Sequence, residues 1–138
     1  MKPDDDHNIF DAFCATADAY PDHSAVIFLG TRYRYSWIRE TARAFAAALQ
    51  ENGIDRDERV MIYLPNSIQW IVAWLGIQGA GCVGVPITPI YTPHDLTYIA
   101  NNSGASAIVC ADTNFGYVQQ VLPDTRLKKV IVTRMTDL

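Results

Sequence analysis

From Val60 to His94 the chain runs thirty-five residues without an Asp, Glu, Lys or Arg. The segment reads VMIYLPNSIQWIVAWLGIQGAGCVGVPITPIYTPH, so any fold must hide most of it from water. Three arrangements could do so: a membrane span, a dinucleotide-binding turn, or the buried centre of a parallel sheet.

A membrane span needs about 20 apolar residues, and Ile68 to Val85 approaches that length. Gln69 and Gln78 interrupt it, Gly76, Gly79, Gly81 and Gly84 weaken any helix, and Pro86 ends it. No Lys or Arg cluster flanks it to set an orientation. The dinucleotide reading rests on Gly79-Ala80-Gly81-Cys82-Val83-Gly84, a letter-for-letter G-x-G-x-x-G. That motif works only where it leaves a strand and opens a helix, so that helix N–H groups face a pyrophosphate. Here the order is reversed. Helical spacing precedes the glycines, an extended apolar run from Cys82 to Ile87 comes after them, and Pro86 and Pro89 forbid a helix there.

What remains is a strand–helix–strand unit. Arg59 to Leu64 is a β-rich run without alternation, as expected for a strand covered on both faces. Pro65-Asn66-Ser67 carries turn and helix-cap chemistry. Ile68, Trp70, Ile71, Val72, Trp74 and Leu75 make the next helix apolar on most of its surface, so it is a buried one. The glycines turn the chain into a second buried strand.

Around this unit the sequence alternates strand with helix. Asp4 to Asn8 reads as a disordered acidic tail, with His7 a candidate for weak divalent-metal contact. Ile9, Phe10, Phe13, Ala17 and Tyr20 recur at helical spacing, and Pro21 stops that helix. Ser24 to Phe28 is a predicted strand, Gly30-Thr31 its turn, and Arg32 to Tyr35 its hairpin partner. Ser36 is the expected cap of the next helix. Its expected core stripe is Trp37, Ala44, Ala48 and Leu49 with Ala42, Phe45 and Ala46 filling in, and Asn52-Gly53 ends it. Thr92 and Pro93 open another helix, with Leu96, Ile99 and Ala100 inward and Asn102 to Gly104 closing it. Ala105 to Cys110 is the third parallel strand, Phe115 to Leu122 a helix, and Lys129 to Thr133 a fourth strand. This alternation predicts a largely parallel, doubly wound α/β sheet with flanking helices, preceded by a helix and a β-hairpin.

Chemistry is scarce. A net charge of −4 argues against a nucleic-acid footprint, and Arg32, Arg34, Arg39 and Arg43 read as solvated surface. Cys14, Cys82 and Cys110 are odd in number, widely spaced and without a C-x-x-C, which indicates neither zinc nor a redox pair. With an acidic rather than basic N-terminus, they point to a reducing, cytoplasmic compartment. There is no Walker phosphate loop and no G-x-S-x-G elbow. His23 and Ser24 are adjacent on extended chain and face opposite ways, while His94 falls in a helix's first turn. No general acid–base pair can be nominated. On residues alone this is a soluble α/β domain without a visible active site.

The order of several short motifs carries more. Tyr20-Pro21-Asp22-His23-Ser24-Ala25 and Tyr33-Arg34-Tyr35-Ser36-Trp37 resemble the "P-x-x-A" and "T-Y-x-E-L" segments of adenylate-forming enzymes. Asp57-Glu58-Arg59-Val60 with Leu64-Pro65-Asn66-Ser67 is similar to their "G-D-x-V-x-I-x-L-x-N-S". Gly79-Ala80-Gly81 leading into Val85-Pro86-Ile87 resembles their "A-G-A" turn and strand. Pro89-Ile90-Tyr91-Thr92-Pro93-His94-Asp95-Leu96 resembles the "N-P-x-Y-T-P-x-E-L" of bacterial long-chain fatty-acyl-CoA synthetases, and Asn102 to Ala107 resembles the next segment of those enzymes. Val130 to Met135 continues in the same register. Thr88 stands where Asn is usual, and His94-Asp95 replaces another charged pair while keeping a helix-opening carboxylate.

The resemblance implies that residues 9–138 form the amino-terminal lobe of such a ligase, behind a tail of residues 1–8. The implied reaction joins a fatty acid to coenzyme A through an acyl-adenylate, using ATP and magnesium. The family's phosphate loop, adenine-contacting segments and catalytic lysine correspond to positions beyond Leu138. The resemblance therefore assigns no catalytic residue and no metal ligand here, and implies that the chain alone is inactive with no cofactor bound. By analogy Thr88, Pro89, Ile90 and Tyr91, at the carboxyl end of a strand, stand nearest a ligand, although a merely structural role, with Pro89 and Tyr91 shaping the loop, is the better-favoured reading of them. Fatty acid, ATP and coenzyme A are the implied partners of the whole enzyme, with no nucleic acid and no transmembrane segment. Self-association through exposed apolar surface, or a homodimer, is implied by the same analogy, and the implied station is cytoplasmic or peripheral at a membrane. A stand-alone, non-catalytic binding or interaction module built on the same lobe is the alternative.

Overall fold

The computed structural model describes residues 8–134; residues 1–7, with His7 and all of the expected tail but Asn8, and residues 135–138, with Met135, lie outside the described residues. Four parallel strands make the main sheet: β3 (Arg59–Tyr63), β4 (Val83–Ile87), β5 (Ala107–Ala111) and β6 (Lys129–Thr133), in the spatial order β4-β3-β5-β6. A separate hairpin pairs β1 (Ser24–Phe28) with β2 (Thr31–Arg34). The helices are α1 (Ile9–Ala19), α2 (Tyr35–Glu51), α3 (Ile68–Gly79), α4 (Pro93–Ser103) and α5 (Phe115–Val121). The doubly wound α/β expectation holds.

Strand pleating explains the two layers. Val60, Ile62 and Leu64 face a core shared with α2 and α3, whereas Met61 and Tyr63 face one shared with α4 and α5. On β5 the same split sends Ala107, Val109 and Ala111 one way and Ile108 and Cys110 the other. Helix α3 is the cover for the first face. Ser67 caps it by accepting the Trp70 N–H at 3.1 Å, and Ile68, Val72, Leu75 and Ile77 are buried. Each such side chain contributes about 1.5–3 kcal/mol by leaving water.

The glycine string sits as its order requires. Helix α3 ends at Gly79, Gly81 turns the chain, and β4 comes next, so no helix N-terminus meets these glycines. One expectation fails at β4. It is an edge strand with Val83 46 % exposed, not a second buried one. Pro86 has no N–H to give an outer neighbour, and at an edge that donor is not missed.

Two boundaries shift for local reasons. The hairpin turn is Leu29-Gly30, with φ +50 and +82, so Thr31 pairs with Phe28 rather than turning. Helix α2 starts at Tyr35, with Ser36 inside it. The Tyr35 and Ser36 N–H groups donate to the His23 and Pro21 carbonyls at 3.1 Å each, which replaces a side-chain cap. The α2 core stripe rotates in part, losing Trp37, Ala44 and Ala48 and gaining Ile38, while Ala42, Ala46 and Leu49 stay in it as expected. Ile38, Ala42, Ala46 and Leu49 are buried, while Ala44 and Ala48 are exposed and Trp37 is half-buried.

That rotation is explained by a close approach. A Cβ on Gly76 would stand 2.6 Å from Phe45 Cδ1 and 2.9 Å from the Ala42 carbonyl oxygen. Only a glycine lets α2 and α3 meet so closely, and the meeting fixes which face of α2 turns inward. Helix α1 is tied on by Asn8, assigned by sequence to the tail. Its side chain accepts the Asp11 N–H at 3.0 Å and donates to the Gln78 carbonyl at 2.8 Å. Arg39, read as solvated, instead has a side chain only 15 % exposed, paired with Asp18 and Glu40.

Gly76→Ala should cost about 2 kcal/mol through overpacking against backbone. Gly84→Ala, whose Cβ would meet ordinary contacts at 3.6–3.9 Å, should change stability by less than about 1 kcal/mol. Urea denaturation of both variants checks the contrast, and equal losses would refute the close-approach account.

Candidate functional site

Parallel pairing brings two loops out side by side. Tyr63 pairs with Ile87, so Leu64-Pro65-Asn66 and Thr88-Pro89 leave the sheet together at its carboxyl edge. Between them opens a cleft of about 620 Å³. Its floor is Leu64, Val85 and Ile87, with Trp70 of α3 on one side and Ile99 of α4 on the other. The cleft lies beside the point where strand order reverses, between β3 and β5, rather than at it.

Thr88, Pro89 and Tyr91 line this cleft. Ile90 does not; it is 83 % exposed and takes no part in the lining. Asn66, Trp70 and Ile99 were missed by sequence reading. The signal was available for Asn66, because parallel strands of matched length must exit together. Trp70 and Ile99 required knowing how α3 and α4 flank the strand ends.

The loop from Thr88 to Thr92 is held at three points. The Tyr91 N–H donates to the Thr88 carbonyl at 3.2 Å. The Tyr63 hydroxyl donates to the Tyr91 carbonyl at 2.5 Å. Asp95 Oδ2 accepts from the Thr92 N–H and hydroxyl at 3.1 Å each, so this carboxylate opens α4. Tyr63 is fully buried, and burial pushes its phenol above the ordinary range. The phenol is therefore a fixed donor and a structural tie, not a proton shuttle. Beneath it, Cys110 is buried in β5 and its thiol is pushed up to about 11, so it behaves as a small apolar side chain.

The lining carries no charged side chain. Its polar side-chain groups are the Asn66 amide, the Trp70 indole N–H and the hydroxyls of Thr88 and Tyr91. A magnesium–triphosphate needs carboxylates and cations around it, and these residues do not supply them. Among the described residues no three of His, Cys, Asp and Glu converge as a metal would require. His94 is exposed in the first turn of α4, and His23 is exposed beside the Tyr20 ring. The cleft fits an apolar chain or ring, with one or two hydrogen bonds to orient it. Among the described residues no helix is long and apolar enough to cross a membrane.

Comparison with known proteins gives this geometry a setting. The family model described as AMP-binding enzyme matches residues 13–137. A long-chain-fatty-acid–CoA ligase of Escherichia coli O6:H1 is 37 % identical over 139 residues, covering 99 % of this chain and 25 % of that protein. One from Haemophilus influenzae is 37 % identical over 131 residues, covering 94 % and 23 %. A benzoate CoA ligase from Burkholderia xenovorans superposes with a TM-score of 0.86 at 26 % identity, over 93 % of this chain and 26 % of that one. A long-chain-fatty-acid–CoA ligase from Archaeoglobus fulgidus, 23 % identical, gives 0.85 over 90 % and 27 %, a likeness of fold. The chain thus spans about a quarter of the length of the curated relatives it matches.

Tyr63→Phe should cost about 1 kcal/mol and release the Tyr91 carbonyl. Amide exchange should then quicken from Thr88 to Thr92 and stay slow in β5. Uniform quickening throughout the sheet would show that Tyr63 only fills the core.

Proposed function

The chain belongs to the AMP-binding enzyme family, and we propose that it supplies the first lobe of a fatty acid–CoA ligase. In that reading ATP and a fatty acid give an acyl-adenylate and pyrophosphate, and the thiol of coenzyme A then displaces AMP. Magnesium would offset phosphate charge in the first step. The observation that carries the reading is the uncharged cleft at the carboxyl ends of β3 and β4. It suits the hydrocarbon part of the substrate and is ill-suited to the phosphates. Thr88, Pro89 and Tyr91 form its wall, with Asn66 and Trp70, and Ile90 is turned outward to meet another part of the enzyme.

On this reading the phosphate chemistry is done by groups outside residues 8–134, and the chain alone does not turn over. The work belongs in the cytoplasm, or at the surface of a membrane from which a water-poor substrate is drawn. With ATP, magnesium, palmitate and coenzyme A, the isolated chain should release no AMP. Grafted in place of the matching 139 residues of the Escherichia coli relative, it should give a folded chimera that makes acyl-CoA. A folded chimera without ligase activity, or thioester formed by the isolated chain, would sink the proposal.

The β6 edge supports the expectation of self-association. It runs Lys-Val-Ile-Val-Thr with no proline, Val132 is 44 % exposed, and a groove of about 300 Å³ opens between it and α2. Phe45, Ala48, Leu49 and Ile131 line that groove. An unpaired, partly apolar edge of this kind can recruit another strand or another chain. Val132→Lys should shift the isolated chain towards monomer in sedimentation velocity, and an unchanged distribution would remove the edge from consideration.

A further inference from the structure

The β1–β2 hairpin is strained at its tip with no internal benefit. Leu29 holds φ +50 at the first position of a two-residue turn whose second is Gly30 at +82. Such a turn ordinarily places Asn, Asp or Gly there. Leu29 packs on nothing in exchange; at 86 % it is the most exposed large apolar side chain among the described residues. Ile27, on the same hairpin, is 61 % exposed. A strained backbone that presents an apolar side chain to solvent points outward for its purpose.

The hairpin's outer face adds charge. Ile27 stands opposite Arg32 and Ser24 opposite Arg34, while Val26 and Tyr33 turn into the core with α2 and α3. From Ser24 to Arg34 there is no acidic residue. Arg34 meets Asp22 only at 3.9 Å with both side chains largely exposed, a pair too loose to occupy it. The result is an apolar tip with two arginines behind it, on a chain whose net charge is −4. The hairpin is thus locally cationic on a chain that is anionic as a whole.

We propose that the hairpin docks the protein on an anionic lipid bilayer, with Leu29 and Ile27 entering the acyl–headgroup boundary and Arg32 and Arg34 meeting lipid phosphates. Apolar side chains at the tip and guanidinium groups close behind match the layering of such a surface. A dry protein pocket would accept the leucine but leave the arginines without a role. The inference deepens the membrane-surface station of the proposed function by naming the element that would make the contact, and it is argued from the hairpin's own geometry, so a failed vesicle assay leaves the chimera test standing.

Co-sedimentation of the whole chain with vesicles tests it. The chain should pellet with phosphatidylglycerol–phosphatidylcholine vesicles, less so as salt rises, and far less with phosphatidylcholine alone. Leu29→Asn suits the positive φ, so its Tm should rise while its vesicle affinity falls about tenfold, the loss from leaving one leucine in water. Arg32→Gln with Arg34→Gln should lose about fivefold per arginine and most of the salt dependence. Equal binding by Leu29→Asn and the parent, equal binding to neutral and anionic vesicles, or no binding at all would overturn the proposal. So would a dimer without lipid that Leu29→Asn abolishes, since the tip's occupant would then be a second copy.

Discussion

Strand β3 has hydrogen-bonded parallel neighbours on both edges, and Val60 to Tyr63 have no solvent exposure. A strand in that position keeps its ladder only if both faces are covered, and the alternation of its side chains decides by what. Val60 and Ile62 require α3, which must therefore be apolar nearly all round. An all-apolar helix needs a second layer of its own, and α2 provides it where Gly76 admits Ala42 and Phe45. Helix α2 in turn begins on the carbonyls of Pro21 and His23, so the turn before the hairpin is fixed by the same chain of cover. Helix α1 closes it through Asn8 and the Gln78 carbonyl.

The other face of β3 sets the cleft. Tyr63 points towards α4 and α5, and its hydroxyl is the one polar atom it carries into that core. Buried without a partner it would be costly, so its bond to the Tyr91 carbonyl satisfies the phenol and anchors the loop at once. With the loop held, Thr88, Pro89 and Tyr91 form a wall, and Ile90, between two anchored residues, is forced outward. Satisfying one buried hydroxyl thus helps to set one wall of the cleft.

Much of this was legible in the residues. The uncharged run announced parallel strands and a buried helix, and Thr92-Pro93 with Asp95 announced the start of α4. The reversed order of helix and glycines excluded a dinucleotide turn. What could not be read was anything set by a partner distant in sequence. Ser36 is a good cap by type, yet distant carbonyls took that role. Ala44 and Ala48 fit a helical stripe, yet Gly76 drew in the face that carries Ala42 instead. The run through β4 looked buried because it lacks charge, whereas Pro86 was the better clue that it lies at an edge. Thr88 to Tyr91 could be placed at a strand end, but not which of the four turns away.

The distribution of charge then separates what this stretch can contribute from what it cannot. Its carboxylates and cations sit on the helices, the hairpin, the turn before β3 and the approach to β6, and several of them pair with each other there. None lines the cleft. Transition-state charge in phosphoryl or adenylyl transfer must be met by fixed charges or oriented dipoles at the reacting atoms. A wall of Trp, Ile, Pro and Tyr with one amide and two hydroxyls supplies no fixed charge and few dipoles, and it suits hydrocarbon better. A ligase built on this lobe would have to divide its labour, holding the acyl chain against these strands and bringing the charged machinery to it from elsewhere. On the proposed reading, that division would account for residues that announce a fold clearly and a chemistry faintly.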